Sequence, residues 1–263
     1  MTMSAKTGSV EAGAWAALFR GWRPRTVIVS LGILALMTGT AALMLAVAVV
    51  TLFSARRLYT EVMARWLARA ILRVWGVGVE VHQDAPFPDA QTIYVSNHTS
   101  TIDMFVLVAL GLPKARFFFS GFFRKIVPLG VIGSLMGTFF TPSQANRANR
   151  VRCFQTAERV LRRTGDSVYL SPEGERITTG QIGPFNKGAF HLATNLGVPI
   201  VPFYLDIPRE IDPGKGLDVR PGTVHVYVLP AISTRGWRLE DLDRNRAMVR
   251  DRFVAFQRRL RAA

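Results

Sequence analysis

Two polar clusters each follow an apolar stretch of strand length, and the first of them contains a histidine and an aspartate. Residues 93–96 run directly into the polar residues 97–103, which include His98 and Asp103. Binding sites in α/β proteins favour turns that follow the carboxyl ends of strands. Five residues correspond to about 140° of rotation on a helix, so the two side chains would not share one helical face.

His98 and Asp103 can still meet if His98 lies in the turn and Asp103 lies in the first turn of the following helix. The carboxylate would then hold the imidazole and stabilise its protonated form. The other ring nitrogen would remain available to take a proton from a hydroxyl group. A purely structural pair is the alternative interpretation of these two residues.

The second cluster lies at residues 170–176 and is followed by an aromatic and basic segment at residues 184–190. Gly174 would let the backbone approach a phosphate, and Arg176 would bind that phosphate through a planar fork of donors. The alternative is that Glu173 and Arg176 form an ion pair within a loop.

The segments around these clusters alternate between strand-like and helical patterns. We predict strands at residues 93–96, 117–120, 138–141, 167–170, 200–205 and 223–229, and helices at residues 102–110, 145–163, 187–195 and 239–261. A short apolar segment at residues 77–81 precedes them. This alternation indicates an α/β domain in which helices flank a largely buried mixed sheet.

Residues 26–55 contain no charged side chain, and the run exceeds the roughly 18 residues that suggest membrane insertion. No A-x-A-like cleavage site closes it, so we expect the segment to be retained. Arginines flank both ends, which predicts that both flanks are cytoplasmic. A straight helix of this length would exceed a hydrocarbon layer of about 30 Å, so we favour a helical hairpin broken near residues 38–40 over a tilted span.

Basic residues predict an anionic partner. Thirty-three Lys and Arg against 18 Asp and Glu give a formal net charge of +15, which suits nucleic acid, anionic lipid or phosphorylated substrates. Residues 56–76 form an amphipathic pattern with an arginine stripe at Arg65, Arg69 and Arg73, typical of a helix on a membrane surface or on a domain core. The sequence contains no helix-turn-helix, zinc or RNP signature, so we expect an anionic membrane surface and no nucleic acid.

Metal and cofactor signatures are also missing from the sequence. His82, His191 and His225 are far apart in the chain, so we predict no metal site. A Gly-x-Ser-x-Gly elbow, a Cys-centred motif and a Gly-rich nucleotide loop are absent too, and we expect no cofactor.

The two clusters together resemble the glycerolipid acyltransferase family, which includes 1-acylglycerol-3-phosphate acyltransferases. Residues 97–103 match its signature of His, four residues and Asp, and residues 172–176 match its Pro-Glu-Gly-x-Arg signature. Residues 198–203 are similar to its later apolar block with proline, and the resemblance covers about residues 93–205. It implies that His98 is the general base and that Asp103 orients it. The substrate-binding residues expected on this basis are Asn97, Arg124, Lys125, Glu173, Gly174, Arg176 and Lys187.

Two basic positions of the family pattern are displaced in this chain. The family usually carries an arginine shortly after the strand near residue 140, whereas this sequence has Thr141 and Pro142 there. A lysine often found upstream falls at Ser120, although Arg124 and Lys125 are close.

The resemblance implies a membrane-bound acyltransferase at the cytoplasmic face of the cell membrane. The donor would be acyl-CoA or acyl-carrier protein, the acceptor 1-acyl-sn-glycerol-3-phosphate and the product phosphatidic acid. The displaced basic positions leave open another acceptor, such as a lyso-ornithine-type lipid, or a catalytically silent lipid-binding protein. The expected organisation is a basic segment at residues 1–25, a membrane helix or hairpin at 26–55, an amphipathic basic helix at 56–76 and a catalytic domain at 77–263.

Overall fold

The computed structural model describes residues 24–143, 146–214 and 216–262, so most of the basic segment expected at residues 1–25 lies outside the described residues. The first elements of the described part are helix α1 (Pro24–Val50), a π-helical turn (Leu58–Ala64) and helix α2 (Arg65–Trp75). The remaining elements alternate between strands and helices. They are β1 (Val77–His82), β2 (Ile93–Ser96), α3 (Asp103–Leu110), β3 (Ala115–Ser120), α4 (Val127–Leu135), β4 (Phe139–Thr141), α5 (Arg147–Thr164), β5 (Ser167–Leu170), α6 (Gly188–Leu196), β6 (Ile200–Asp206), β7 (Gly222–Val228) and α7 (Leu242–Ala262).

The strands form one seven-stranded sheet in the order β1-β7-β6-β2-β5-β3-β4. All neighbouring pairs are parallel except β6 and β7, which are antiparallel, so the sheet is mixed. Every residue of β2 and β5 is buried, as expected for central parallel strands covered on both faces. The predicted α/β fold with a buried mixed sheet flanked by helices is confirmed.

Helices cover the two faces of the sheet over two apolar cores. One core joins α1, α2, α3 and α4 to one face, and the other joins α5, α6 and α7 to the opposite face. The six predicted strands coincide with β2 to β7 within about two residues. The apolar segment at residues 77–81 forms the seventh strand, β1, and α4 was not predicted because its start contains Pro128 and its sequence carries Gly130 and Gly133.

Helix α1 is long and apolar enough to cross a membrane, with a window of mean hydropathy 2.4, although core helices can pass the same test of length and composition. It continues without a break through residues 38–40, where the sequence favoured a hairpin turn. The Thr38 hydroxyl donates to the carbonyl of Leu34 at 2.8 Å. Its hydrogen bond is therefore made to the preceding turn of the same helix, which lets a threonine remain within a continuous helix. The chain reverses instead after residue 50, where Leu52 and Phe53 adopt positive φ angles.

Helix α1 has two apolar faces with different surroundings. Ile33, Met37, Ala41, Met44 and Ala48 recur every three or four residues and are buried against the body. The opposite face exposes large apolar side chains, among them Ile28, Leu43, Leu45, Val49 and Val50. One face of this helix therefore belongs to the protein core and the other is left apolar and uncovered.

Candidate active site

The turn after β2 is fixed by its neighbours before it presents any reactive group. The Asn97 side-chain amide donates to the carbonyl of Leu205 at 2.9 Å and its Oδ1 accepts from the Leu205 N–H at 2.8 Å. Ser96 lies 2.9 Å from the hydroxyl of Tyr169 on β5. Asn97 is 1% exposed. Its amide thus binds the turn to β6, whereas the family resemblance implied a contact with the substrate.

The structure brings His98 and Asp103 together. Nδ1 of His98 lies 2.6 Å from Oδ2 of Asp103, the first residue of α3. The Asp103 carboxylate also accepts from the N–H of Thr99 at 2.8 Å, the N–H of Ser100 at 3.2 Å and the hydroxyl of Ser100 at 2.5 Å. These donors hold the buried carboxylate in one orientation. Asp103 therefore holds the imidazole by Nδ1, and Nε2 is the nitrogen available for proton transfer.

His98 lies at the polar end of a cavity of about 740 Å³. Its side chain is 31% exposed, so the ring can be reached from that space. Most of the wall is apolar and comes from α1, α3, β3, α4 and the segment before α4; its members include Leu31, Leu34, Met37, Phe105, Leu107, Phe119, Phe123 and Leu129. Its polar side chains include His98, Ser100, Thr101, Asp103, Arg150 and Arg176, which are called the polar end here. A cavity of this size and character suits a ligand with a long apolar part and a small polar head.

Glu173 binds the backbone of the turn that carries His98. Its Oε2 accepts from the His98 backbone N–H at 2.5 Å and its Oε1 accepts from the Gly183 N–H at 2.7 Å. The side chain is buried, and burial raises the pKa of this carboxyl to about 7 against the opposing effect of the two N–H donors. Glu173 does not line the cavity. It joins the two polar turns, whereas the family resemblance implied a contact with the substrate.

Arg176 lies within the cavity wall and does not pair with Glu173. Its Nη1 donates to the hydroxyl of Thr101 at 3.0 Å and to the carbonyl of Gly214 at 2.7 Å. Both bonds use the same nitrogen, and among the described residues Nε and Nη2 have no protein acceptor. Gly174, which also lines the cavity, has φ 71°, a left-handed conformation that glycine adopts without strain.

Two further residues near the site were not singled out from the sequence. Arg150, in the first turns of α5, lines the cavity, and its side chain makes a long contact of 3.4 Å to the carbonyl of Pro142. The basic character of its segment was visible, but which arginine faces the site depends on the packing of α5. Asp212 accepts from the N–H groups of Thr101 and Gly214 at 2.8 and 2.7 Å and so shapes the loops that hold Arg176. An Asp-Pro-Gly turn signal marks its position.

The remaining predicted contacts lie outside the cavity wall. Arg124 and Lys125 are exposed on a single 3₁₀ turn (Phe123–Lys125), whereas the neighbouring Phe122, Phe123 and Ile126 do line the cavity. Lys187 forms a surface ion pair of 2.8 Å with Asp243 of α7. These three basic residues were expected to contact the substrate, and the structure places them outside the wall of this cavity.

Comparison with known proteins agrees with this geometry. A family model described as "Acyltransferase" matches residues 78–206. The chain is 32% identical over 203 residues to 1-acyl-sn-glycerol-3-phosphate acyltransferase BAT2, chloroplastic, of Brassica napus, covering 73% of this chain and 58% of that protein. It is 32% identical over 184 residues to the human 1-acyl-sn-glycerol-3-phosphate acyltransferase beta, covering 67% and 64%. The chain therefore spans about three fifths of the length of these curated relatives.

The fold has a counterpart among solved structures. The crystal structure of the 1-acyl-sn-glycerophosphate (LPA) acyltransferase PlsC from Thermotoga maritima superposes with a TM-score of 0.74, covering 91% of this chain and 97% of that chain at 20% identity. At that identity the likeness supports the fold alone. The family match runs from β1 to β6 and so includes both polar turns that build the site, and the chain belongs to the glycerolipid acyltransferase family.

Proposed function

We propose that this protein is a membrane-bound acyltransferase that moves a fatty acyl group from acyl-CoA or acyl-carrier protein to the free hydroxyl of 1-acyl-sn-glycerol-3-phosphate, forming phosphatidic acid. The observation that carries the proposal is the 2.6 Å pair of His98 and Asp103 at the polar end of a large apolar cavity. The names of the curated relatives support the choice of acceptor.

The chemistry needs a base and no covalent intermediate. Nε2 of His98 takes the proton of the acceptor hydroxyl as its oxygen attacks the thioester carbonyl. The new C–O bond forms, the C–S bond breaks and the thiol leaves with a proton returned by the imidazolium. Asp103 stabilises the imidazolium while it exists, because its carboxylate is buried beside Nδ1. Binding both reactants next to His98 lowers the reaction barrier further, because the reacting groups are oriented before they react.

The apolar wall provides the place for hydrocarbon chains. Aromatic and aliphatic side chains from α1, α3 and β3 surround the cavity, and burial of each methylene contributes about 0.8 kcal/mol. The polar end beside His98 then receives the parts of the substrates that react. This arrangement favours substrates with one long apolar arm and a hydroxyl near a charged head.

Two guanidinium groups at the polar end would bind the charged head. Arg176 and Arg150 both line the cavity, and neither forms an ion pair with a carboxylate among the described residues. Arginine binds phosphate through paired donors and keeps its charge at all relevant pH values. Arg150 would supply the charge that the sequence lacks directly after β4.

Membrane binding would use the uncovered face of α1. That face exposes Leu43, Leu45, Val49 and Val50, and water-exposed apolar surface of this extent marks a contact with lipid or protein. Phe122 and Val127 are also exposed, with Arg124 and Lys125 between them in the chain. Apolar side chains with adjacent cations fit the surface of an anionic bilayer. We place the protein at the cell membrane with its catalytic domain on the cytoplasmic side.

Acyl-transfer assays on the full chain in mixed micelles test this proposal. Equal amounts of 1-acyl-sn-glycerol-3-phosphate, a zwitterionic lysolipid and a lyso-ornithine-type lipid compete for acyl-CoA, and the set is repeated with acyl-carrier protein. We expect preferential formation of phosphatidic acid. Preference for another lysolipid would overturn the acceptor and keep the acyl transfer, and the absence of transfer to any acceptor with both donors would overturn the activity.

A further inference from the structure

The outer part of the sheet holds a cluster of two histidines and a glutamate that the acyl-transfer site does not use. Glu80 and His82 lie on β1 and His225 lies on β7. The strands pair in parallel with Glu80 beside His225 and His82 beside Tyr227. Because side chains two residues apart point to the same side of a strand, all four lie on one face of the sheet.

The potential ligand atoms in this cluster lie close together. Nε2 of His82 is 3.1 Å from Nδ1 of His225, and Nδ1 of His225 is 3.3 Å from Oε2 of Glu80. All three ligand atoms lie within 4.8 Å of one another. A tetrahedral ion with ligand bonds of about 2.0–2.2 Å separates its ligand atoms by about 3.3–3.5 Å. Two of the three separations are therefore already within a few tenths of an ångström of that geometry.

With both rings neutral, the three side chains cannot form both contacts as ordinary two-centre hydrogen bonds. Nδ1 of a neutral His225 carries at most one proton, but it faces both a ring nitrogen and a carboxylate oxygen. If that proton goes to Glu80, Nε2 of His82 has no donor from His225. If His82 donates to Nδ1, the lone pair is consumed and the carboxylate has no proton to accept. A divalent cation can accept electron pairs from all three atoms at once.

The surroundings favour an accessible, oriented site. The His82 ring stacks on Tyr227 with centroids 4.4 Å apart and an angle of 12°, which limits its rotation. The Glu80 and His225 side chains are 59% and 32% exposed, so an ion can enter from water and complete its coordination with water molecules. The strand β2 that leads to His98 is two strands from β7 and three from β1, about 10 to 14 Å at the usual strand spacing.

We propose that Glu80, His82 and His225 bind a divalent transition-metal ion of the Zn²⁺ type between β1 and β7. Imidazole nitrogens with one carboxylate suit Zn²⁺, Ni²⁺ or Cu²⁺, whereas Mg²⁺ and Ca²⁺ prefer oxygen ligands alone. The ion would link the edge strand β1 to β7 and stabilise the folded chain in proportion to its occupancy. Its role is independent of the acyl-transfer chemistry.

Zinc titration of the metal-free, tag-free full chain in detergent tests the site. Equilibrium dialysis measures the amount bound, and thermal unfolding with Zn²⁺ against EDTA measures the stabilisation. The variants are His82→Gln and His225→Gln. His191→Gln is the matched control, because His191 is an exposed histidine on α6. Far-ultraviolet circular dichroism in EDTA checks that each variant is folded.

We expect one saturable Zn²⁺ per chain in the wild type and in His191→Gln, with an increase in Tm. His82→Gln and His225→Gln should each lose at least about tenfold in affinity together with the Tm increase. Co²⁺ in the same site should show the visible absorption of tetrahedral coordination. Lack of saturable binding in the wild type, or binding as tight as that of the wild type in both histidine variants, would overturn the proposal.

Discussion

The backbone N–H of His98 donates to Oε2 of Glu173 at 2.5 Å, which joins two turns 75 residues apart in the chain. The bond connects the backbone of the proposed general base to a carboxyl that does not line the cavity. Glu173 therefore holds the backbone on which His98 is placed.

Glu173→Gln should make stability less sensitive to pH. Burial raises the pKa of Glu173 to about 7, above its value in the unfolded chain, so the folded state binds the proton more tightly. Its contribution to stability thus decreases as pH rises from about 4.5 to about 7, by on the order of 3 kcal/mol. The free energy of unfolding of Glu173→Gln, relative to wild type, should increase between pH 5 and pH 8.

The same variant should lower kcat by about tenfold or more with little change in the acceptor KM. A glutamine presents one acceptor and one donor to two backbone N–H groups, so one contact becomes unfavourable. Urea unfolding at several pH values and steady-state kinetics provide the measurements. A pH-independent stability difference would contradict the burial of a titrating carboxyl at this position.

His98→Ala should reduce kcat by roughly 10²- to 10⁴-fold, the usual contribution of a general base, while leaving folding intact. Asp103→Asn should also be strongly impaired, because it removes the charge that stabilises the imidazolium. Single-turnover assays on folded protein measure both effects, and His191→Ala serves as the histidine control. Near wild-type turnover in His98→Ala would remove the proposed base.

Arg176→Ala and Arg150→Ala should each raise the KM for the phosphorylated acceptor and reduce its selection over a zwitterionic lysolipid. A charge-assisted hydrogen bond of about 1.5–3 kcal/mol corresponds to roughly 10- to 150-fold. Arg152→Ala is the control, because Arg152 is exposed on the same helix and does not line the cavity. Equal effects of the Arg150 and Arg152 substitutions would show that only the overall charge matters.

Replacing both Arg124 and Lys125 by alanine should weaken binding to anionic vesicles without changing acceptor selection. Their side chains are exposed and do not line the cavity. Each cation near such a surface contributes about 1 kcal/mol, so vesicle affinity should fall by up to about 30-fold. Vesicle sedimentation measures this, and a loss of phosphate selectivity would instead place these residues at the acceptor.

The uncovered face of α1 gives a separate membrane prediction. Leu43→Glu with Val50→Glu should shift the protein from the membrane fraction toward extraction without detergent, because both side chains are exposed and apolar. Val81→Glu with Val151→Glu places the same charges on exposed residues elsewhere. Carbonate extraction followed by immunoblotting compares the pairs. Identical extraction would argue against lipid contact along this face.

The sequence predicted the parts of the fold that depend on local pattern. Central strands such as β2 and β5 are continuous apolar runs, and the turns after them carry the polar clusters. The contact between His98 and Asp103 was predicted only for the case in which His98 lies in the turn and Asp103 begins the helix, and the structure has this arrangement.

Contacts that depend on packing could not be predicted in this way. Asn97 was expected to contact the substrate because of the family resemblance, whereas its amide pairs with Leu205, which is 108 residues away in the chain. Arg150 was missed because several arginines share its helix and only the orientation of α5 selects one. His82 and His225 appeared dispersed because 143 residues separate two neighbouring strands.

Helix α1 contributes Leu31, Leu34 and Met37 to the wall of the cavity that contains His98. The helix that would hold the protein at the bilayer is therefore also part of the cavity wall. Membrane attachment and substrate binding would then depend on the same helix. An unrelated membrane anchor fused in place of α1 would restore location but leave the compartment open on one side. Substitutions along this helix would change which acyl chain lengths are accepted, even though the helix carries none of the reacting groups.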